Sequence, residues 1–242
     1  MPLAHPEIAD RERLIFALDV ADADSARQWI TRLGDSVQHY KIGLELLTCG
    51  AYFELLAELK SAGKRVFADL KLHDIPATVT SAVKGMARHA PDFLTVHAYG
   101  AALRMAAPHK GQTRLLAITV LTSMSDADLV ESGVAAALAD VVVQRARAAL
   151  AAGADGLVCS GLEAARLRQE LGQDALLICP GIRTEPGGDD QQRTVDVRQA
   201  FLNGADYIVV GRPIRQAPDP VASAAAIQQQ IALALAQIKA NG

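Results

Sequence analysis

Apolar residues fall along this chain in two alternating regimes. Short continuous apolar runs occur at Leu14–Leu18, His39–Ile42, Arg65–Leu70, Phe93–Val96, Leu115–Leu121, Gly156–Val158, Leu176–Ile178 and Tyr207–Val210. Between them lie Ala-, Leu- and charge-rich stretches with helical spacing, among them Ala23–Leu33, Ala51–Ala62, Val134–Ala151 and Val221–Lys239. Unbroken apolar runs mark strands buried on both faces, and the intervening spacing marks helices that cover a parallel sheet. Eight runs in 242 residues predict a single α/β domain, a (β/α)8 TIM barrel spanning residues 1–242 with its core over about residues 12–240. The rival open, doubly wound sheet would use fewer strands and carry a glycine-rich fingerprint after the first. Here Leu18-Asp19-Val20-Ala21-Asp22 follows, without GxGxxG, so dinucleotide binding loses its main signal.

The barrel reading makes a demand on the polar positions. Chemistry in such barrels sits on the loops that follow the strands, so polar residues should gather at strand C-termini. They do: Asp19, Lys41, Asp69 with Lys71, His97, Thr122 with Ser123, Ser160, Arg183 and Arg212 follow the eight runs in order.

Composition narrows the class. Half of the residues are hydrophobic but only 4% aromatic, so the core must be built of Ala, Leu, Val and Ile. Twenty-four basic against 27 acidic residues give a formal charge of −3, which offers no basic footprint for nucleic acid and no polybasic membrane patch. Cys49, Cys159 and Cys179 form no CxxC pair, and a reducing compartment is the simplest reading. The start Met1-Pro-Leu-Ala-His-Pro-Glu has neither the basic flank nor the apolar stretch of a signal peptide, and no window has about 20 consecutive apolar residues. The expectation is a soluble, cytoplasmic protein.

The densest chemistry is Phe67-Ala-Asp-Leu-Lys-Leu-His-Asp-Ile-Pro76. Side chains alternate along a strand, so Asp69 and Lys71 should face the barrel axis while Leu70 and Leu72 pack under the helices. Lys41 would point towards them from the neighbouring strand, and Asp74 lies in the loop just beyond. Ions on the axis of a narrow barrel cost several kcal/mol each when unpaired, so alternating Lys and Asp would hold one another. Such a network presents a proton donor and preorganised charge, although the spacing alone names no reaction. A second cluster, Cys179-Pro-Gly-Ile-Arg183 with Val210-Gly-Arg-Pro-Ile214, sits on the two loops that recurrently bind phosphate in these barrels. Gly181 and Gly211 would let backbone N–H groups approach an anion, and Arg183 and Arg212 could clamp its oxygens. A small phosphorylated substrate is expected.

With these motifs in place the chain resembles the orotidine 5′-phosphate decarboxylase family. The resemblance runs from Leu14-Ile-Phe-Ala-Leu-Asp19 to Val209-Val-Gly-Arg-Pro-Ile214, through Tyr40-Lys-Ile-Gly43, Phe67–Pro76, Val120-Leu-Thr-Ser-Met124 and Cys179–Arg183. It implies decarboxylation of orotidine 5′-phosphate to UMP, the last step of de novo pyrimidine synthesis, without cofactor or metal. The family's charged tetrad maps onto Lys41, Asp69, Lys71 and Asp74. The resemblance further implies a homodimer with shared sites, in which Asp74, Ile75 and Thr78 reach the partner's site. Asp19 and Lys41 match ribose contacts, and Thr122 and Ser123 match the pyrimidine loop. Arg183, Arg212 and the Gly211 backbone match the phosphate grip, helped by Gln191 or Gln192. For that reaction Ile75 and Pro180 would supply an apolar pocket for the leaving CO2, and phosphate binding energy would close the loop 184–193. The family's Thr-Pro beyond that loop is replaced by Val195-Asp196-Val197, and Ala101 stands where a second glycine is usual. His97 and Ser160 are candidate ligand contacts, whereas His73 reads as structural.

Two other classes compete. Metal-dependent sugar-phosphate decarboxylases and aldolases share the barrel and the D-x-K-x-x-D pattern, but they resemble this chain less at the end of the second strand. An acidic residue helps to bind Mg²⁺ there, and this chain has Lys41. A catalytically silent phosphate-binding barrel would be expected to have lost part of the tetrad, which is complete here.

Overall fold

A computed structural model describes residues 3–182 and 194–241. Eight strands close into one parallel barrel in chain order: β1 (Leu14–Ala17), β2 (His39–Gly43), β3 (Arg65–Leu72), β4 (Phe93–His97), β5 (Arg114–Ile118), β6 (Gly156–Val158), β7 (Leu176–Cys179) and β8 (Tyr207–Val210). β8 pairs back onto β1, with Ile15 opposite Val209. The helices are α1 (Ala23–Leu33), α2 (Leu44–Leu47), α3 (Tyr52–Ser61), α4 (Pro76–Ala87), α5 (Gly100–Ala106), α6 (Asp126–Glu131), α7 (Leu138–Ala151), α8 (Ala164–Leu171), α9 (Val197–Leu202), α10 (Arg212–Arg215) and α11 (Pro220–Asn241).

Strand alternation divides the core into two layers. Ile15, Ala17, Phe67, Phe93, Leu116, Leu176, Ile178, Tyr207 and Val209 fill the barrel axis, and Ile8 of the N-terminal segment joins them. Their neighbours Leu14, Phe16, Tyr40, Val66, Ala68, Leu94, Ile208 and Val210 pack outward against the helices. Both layers are apolar, which explains why the strands read as unbroken apolar runs.

Local signals fix the helix ends. Asp22 caps α1 by accepting the Ser25 N–H at 2.8 Å, and Pro76 opens α4 where no intrahelical N–H is needed. Ser125 and Asp128 form a reciprocal capping box at α6. Two elements differ from the sequence pattern. The run Leu115–Leu121 stops being a strand at Ile118, because the chain turns there and the Thr119 carbonyl is held by Arg145 at 2.9 Å. The helical stretch expected from Val134 begins only at Leu138, since α6 ends at Glu131 and Gly133, with a φ of +85°, turns the chain just beyond it.

Pro220–Ala240 is long and apolar enough to cross a membrane by length and composition alone. It carries Gln228, Gln229 and Gln230, and it packs on α1, α9 and α10. Ala224, Ile227, Ile231, Ala234 and Leu235 are the face it buries.

Candidate active site

The mouth of the barrel opens a cavity of about 420 Å³, within the range of small-ligand sites. Its floor is apolar: Ala17, Phe67, Ile118, Val158 and Val209 come from the inward positions of five strands. Its walls carry the chemistry: Asp19, Lys41, Asp69 and Lys71 come from β1 to β3 and the segments after them, Gly211, Arg212 and Arg215 follow the adjoining β8, and Pro180 and Gly181 follow β7. Leu121, Thr122 and Ser123 complete the lining.

Three of the four tetrad residues meet directly. The Lys71 ammonium donates to Asp69 Oδ2 at 2.7 Å, and the Lys41 ammonium stands 3.4 Å from the same oxygen. Lys41 also donates to Asp19 Oδ1 at 2.8 Å. Burial alone would raise the Asp69 carboxyl, but the ammonium groups of Lys41 and Lys71 and the Thr95 hydroxyl outweigh it and hold the pKa below the ordinary carboxylate range. Burial would likewise strip the proton from Lys41. Asp69 and Asp19 reverse that tendency and raise its pKa.

Lys71 reaches this position in a way that simple alternation does not describe. Its φ is +48°, in the left-handed region, and the β3–β4 register shifts between Ala68 and Leu72. A non-glycine residue in that region costs on the order of 1 kcal/mol, and such strain persists where the surroundings enforce it. Thr95 does the enforcing. Its hydroxyl oxygen accepts the Lys71 N–H at 2.8 Å, and its own proton goes to Asp69 Oδ1 at 3.0 Å. Leu70 and Leu72 do pack against the outer layer. Thr95 was not singled out from the sequence. The available signal was a hydroxyl at an inward position of an otherwise apolar strand.

Two glycines of the cavity lining serve different needs. Gly181 has a φ of +80°, which a side chain would strain. A Cβ on Gly211 would stand 3.2 Å from the Ala17 Cβ, so β8 and β1 approach closely because residue 211 has none. Arg212 follows at the first turn of α10.

Asp74, Ile75 and Thr78 are not brought into this chain's cavity. All three are exposed, and the Asp74 carboxylate accepts the Ile75 N–H at 2.6 Å. Ile75, 65% exposed, therefore does not join Pro180 in an apolar pocket within one chain. His97 lies beside the cavity rather than lining it; its ring sits 4.8 Å from that of His73, which stacks on Tyr99. Burial, His73 and Lys71 lower the His97 pKa, so the ring is neutral at neutral pH. Ser160 is fully buried and shapes the turn after β6, its N–H donating to Glu163 at 2.9 Å. Arg183, Gln191, Gln192 and the loop 184–193 lie outside the described residues.

Comparison with known proteins gives a consistent set of likenesses. The family model described as "Orotidine 5′-phosphate decarboxylase / HUMPS family" matches residues 12–227. An orotidine 5′-phosphate decarboxylase of Xanthomonas euvesicatoria pv. vesicatoria (strain 85-10) is 54% identical over 233 residues, covering 95% of this chain and 96% of that protein. One from Stenotrophomonas maltophilia (strain K279a) is 53% identical over 232 residues, with the same coverage of 95% and 96%. Among solved structures, orotidine 5′-phosphate decarboxylase from Lactobacillus acidophilus superposes with a TM-score of 0.80 at 34% identity, covering 91% of this chain and 99% of that one.

Proposed function

The chain belongs to the orotidine 5′-phosphate decarboxylase / HUMPS family, and from that premise we infer how its own side chains carry the reaction. It is a carboxy-lyase that converts orotidine 5′-phosphate to UMP in pyrimidine synthesis. The observation that carries the reading of the site is the Lys41–Asp69–Lys71 network, lining one cavity with Gly211 and Arg212.

Breaking the bond between C6 and the carboxylate releases CO2 and leaves its electron pair on C6, where the pyrimidine ring delocalises it poorly. A fixed ammonium beside C6 stabilises that pair and then delivers its proton to it, giving UMP. Lys71 fills this role, and it regains its proton from solvent. Asp69 aims Lys71 through the 2.7 Å contact and is itself held by Thr95 and Lys41. Because these charges are in place before substrate arrives, little reorganisation accompanies the reaction. Asp19 and Lys41 hold the ribose, and Thr122 and Ser123 face the pyrimidine. Arg212, the Gly211 N–H, Arg183 and Gln191 or Gln192 grip the phosphate. Phosphate binding lies far from the breaking bond and serves to organise the site by closing the loop 184–193.

The metal-dependent reading is less well supported. The Lys41 ammonium, 2.8 Å from Asp19 and 3.4 Å from Asp69, already neutralises the carboxylates that a divalent cation would need. The reaction as drawn uses no cofactor.

The working unit is a homodimer with shared sites. Asp74, Ile75 and Thr78 are exposed on the segment that follows β3. Leu44, Leu47, Phe53, Ile75, Tyr99 and Met105 are exposed apolar residues on the segments after three adjacent strands, β2, β3 and β4. Exposed apolar residues gathered on three neighbouring segments call for a partner. Asp74 then completes the partner's tetrad, and Ile75 lines the partner's CO2 pocket with Pro180. The protein acts in the cytoplasm as a single barrel domain, without nucleic-acid or membrane partners.

The test is direct. Purified protein with orotidine 5′-phosphate and no added metal should consume the substrate's near-ultraviolet absorbance as UMP forms; no turnover overturns the assignment. Mixing inactive Lys71→Ala and Asp74→Ala proteins should restore up to about a quarter of wild-type activity, since half the dimers are mixed and each carries one intact site. No recovery despite measured subunit exchange would show that sites are not shared.

A further inference from the structure

Arg215 has no part in the reading above, yet it lines the same cavity as Arg212 and closes the same short helix, α10. Its guanidinium Nη1 donates to the backbone carbonyl of Asp19, across the junction where β8 meets β1. Its Nε is buried and has no protein partner among the described residues. At the other end of this contact the Asp19 carboxylate accepts the Lys41 ammonium, which in turn faces Asp69. α10 is anchored from behind by Ser223, whose hydroxyl donates to the Pro213 carbonyl at 3.1 Å. A continuous chain of charged contacts therefore runs from the helix bearing Arg212 to the reacting centre.

We propose that Arg215 is a positioning residue: it ties the phosphate-side helix α10 to the segment carrying Asp19 and so sets the Asp19–Lys41 pair in register with the phosphate grip. The inference rests on the functional reading above. Physically, a carbonyl bound by a guanidinium is a charge-assisted contact, and it fixes the Asp19 carbonyl one residue beyond Leu18, whose N–H donates to the Lys41 carbonyl of β2 at 3.0 Å. The Asp19 side chain is 41% exposed, so packing alone does little to orient it. Arg215 acts on substrate through Asp19 and not as another phosphate ligand.

A double-mutant cycle on turnover of orotidine 5′-phosphate tests this. Arg215→Ala should lower kcat/KM about 10- to 100-fold, the scale of losing one hydrogen bond from a charged donor. Asp19→Ala should lower it further, and the double variant should match Asp19→Ala alone within about threefold, because both act on one interaction. Inhibition by inorganic phosphate supplies the readout that a general structural defect or a phosphate ligand would answer differently. Its inhibition constant should stay within about twofold in Arg215→Ala and rise about tenfold or more in Arg212→Ala. Arg215→Lys, which keeps a cationic donor, should recover most of the loss. If Arg215→Ala does not fold, Arg215→Gln carries the same cycle. Additive losses, a wild-type kcat/KM in Arg215→Ala, or a phosphate constant that rises as in Arg212→Ala would each overturn the proposal. These outcomes are read only where the wild-type protein turns over, so they are separate from a failure of the functional reading itself.

Discussion

At the bottom of the barrel Arg168 and Asp206 are each 1% exposed and meet at 2.5 Å, whereas at the mouth Lys71 is 34% exposed and meets Asp69 at 2.7 Å. The two pairs look alike as distances, but their surroundings differ. Arg168 also donates to the carbonyls of Gly204, Gln173 and Ala175, while Asp206 Oδ2 accepts the Leu177 N–H. Arg13, fully buried nearby, donates to the carbonyls of His5, Ile8 and Asp206 and so pins the N-terminal segment whose Ile8 joins the axial core. At this end the protein itself takes up most of the hydrogen-bonding capacity of its buried cations, with Arg13 Nε left without a partner among the described residues. At the mouth the Lys41 and Lys71 ammonium groups hold the carboxylates of Asp19 and Asp69, and they border a cavity large enough for a nucleotide-sized ligand. Buried charge at the bottom is architecture. At the mouth it is capacity held for a substrate.

That contrast can be broken from either side. The largest effect should come from Lys71→Ala, with kcat lower by about 10⁴-fold or more, because both proton donation and electrostatic stabilisation are lost. The urea midpoint should barely move, and a near-normal kcat would remove Lys71 from the chemistry. Asp206→Ala should do the reverse, costing about 3–5 kcal/mol of stability by leaving the Arg168 charge unpaired, while protein that remains folded keeps its kcat. Denaturant unfolding and active-site-normalised kinetics separate the two.

His39 extends the comparison to pH. It lies on the axis near the bottom, its ring 5.1 Å from Phe93 and 5.8 Å from Tyr207. Burial pushes its pKa down to about 3, against the pull of Asp92. As pH falls below about 6.5 the unfolded chain binds a proton that the folded chain refuses, so stability is lost through that window. The slope should approach about 1.4 kcal/mol per pH unit between pH 6 and 4.5, and His39→Leu should flatten it. A wild-type curve already flat there would show that the ring is not held neutral. The smallest effect is expected from Thr95→Val, which keeps shape but frees Asp69 and the Lys71 N–H. A drop in kcat/KM of about tenfold, with stability changed by no more than about 1–2 kcal/mol, would mark Thr95 as a support of the site.

Much of this was legible before any coordinates. The runs Gly156–Val158 and Tyr207–Val210 and the helix Ala23–Leu33 match β6, β8 and α1 residue for residue, because caps and apolar runs are local properties. Asp69, Lys41 and Arg212 could be placed at the mouth because each ends or follows a strand. Lys71 was placed correctly for an incomplete reason, since a positive φ and a register shift, not period-two alternation, bring it to Asp69. Thr95 was missed because one hydroxyl in an apolar run carries no sign of what it faces. Asp74 and Ile75 show the opposite case: the motif marks them clearly, yet one chain leaves them outside its own cavity.

The sequence by itself determined the number of strands, that they are buried on both faces, and that polar residues gather towards their C-terminal ends. Those features follow from periods of 2 and 3.6 residues and from capping chemistry, all of which act over a few positions. Only the tertiary structure decided which of those polar residues touch. Closure of the barrel sets β8 against β1 and brings Arg215 to the Asp19 carbonyl, 196 residues away in the chain. It sets β4 beside β3 and gives Asp69 its Thr95. Hydrogen bonds of this kind depend on angles and tenths of an ångström across elements distant in sequence, and no local pattern encodes them.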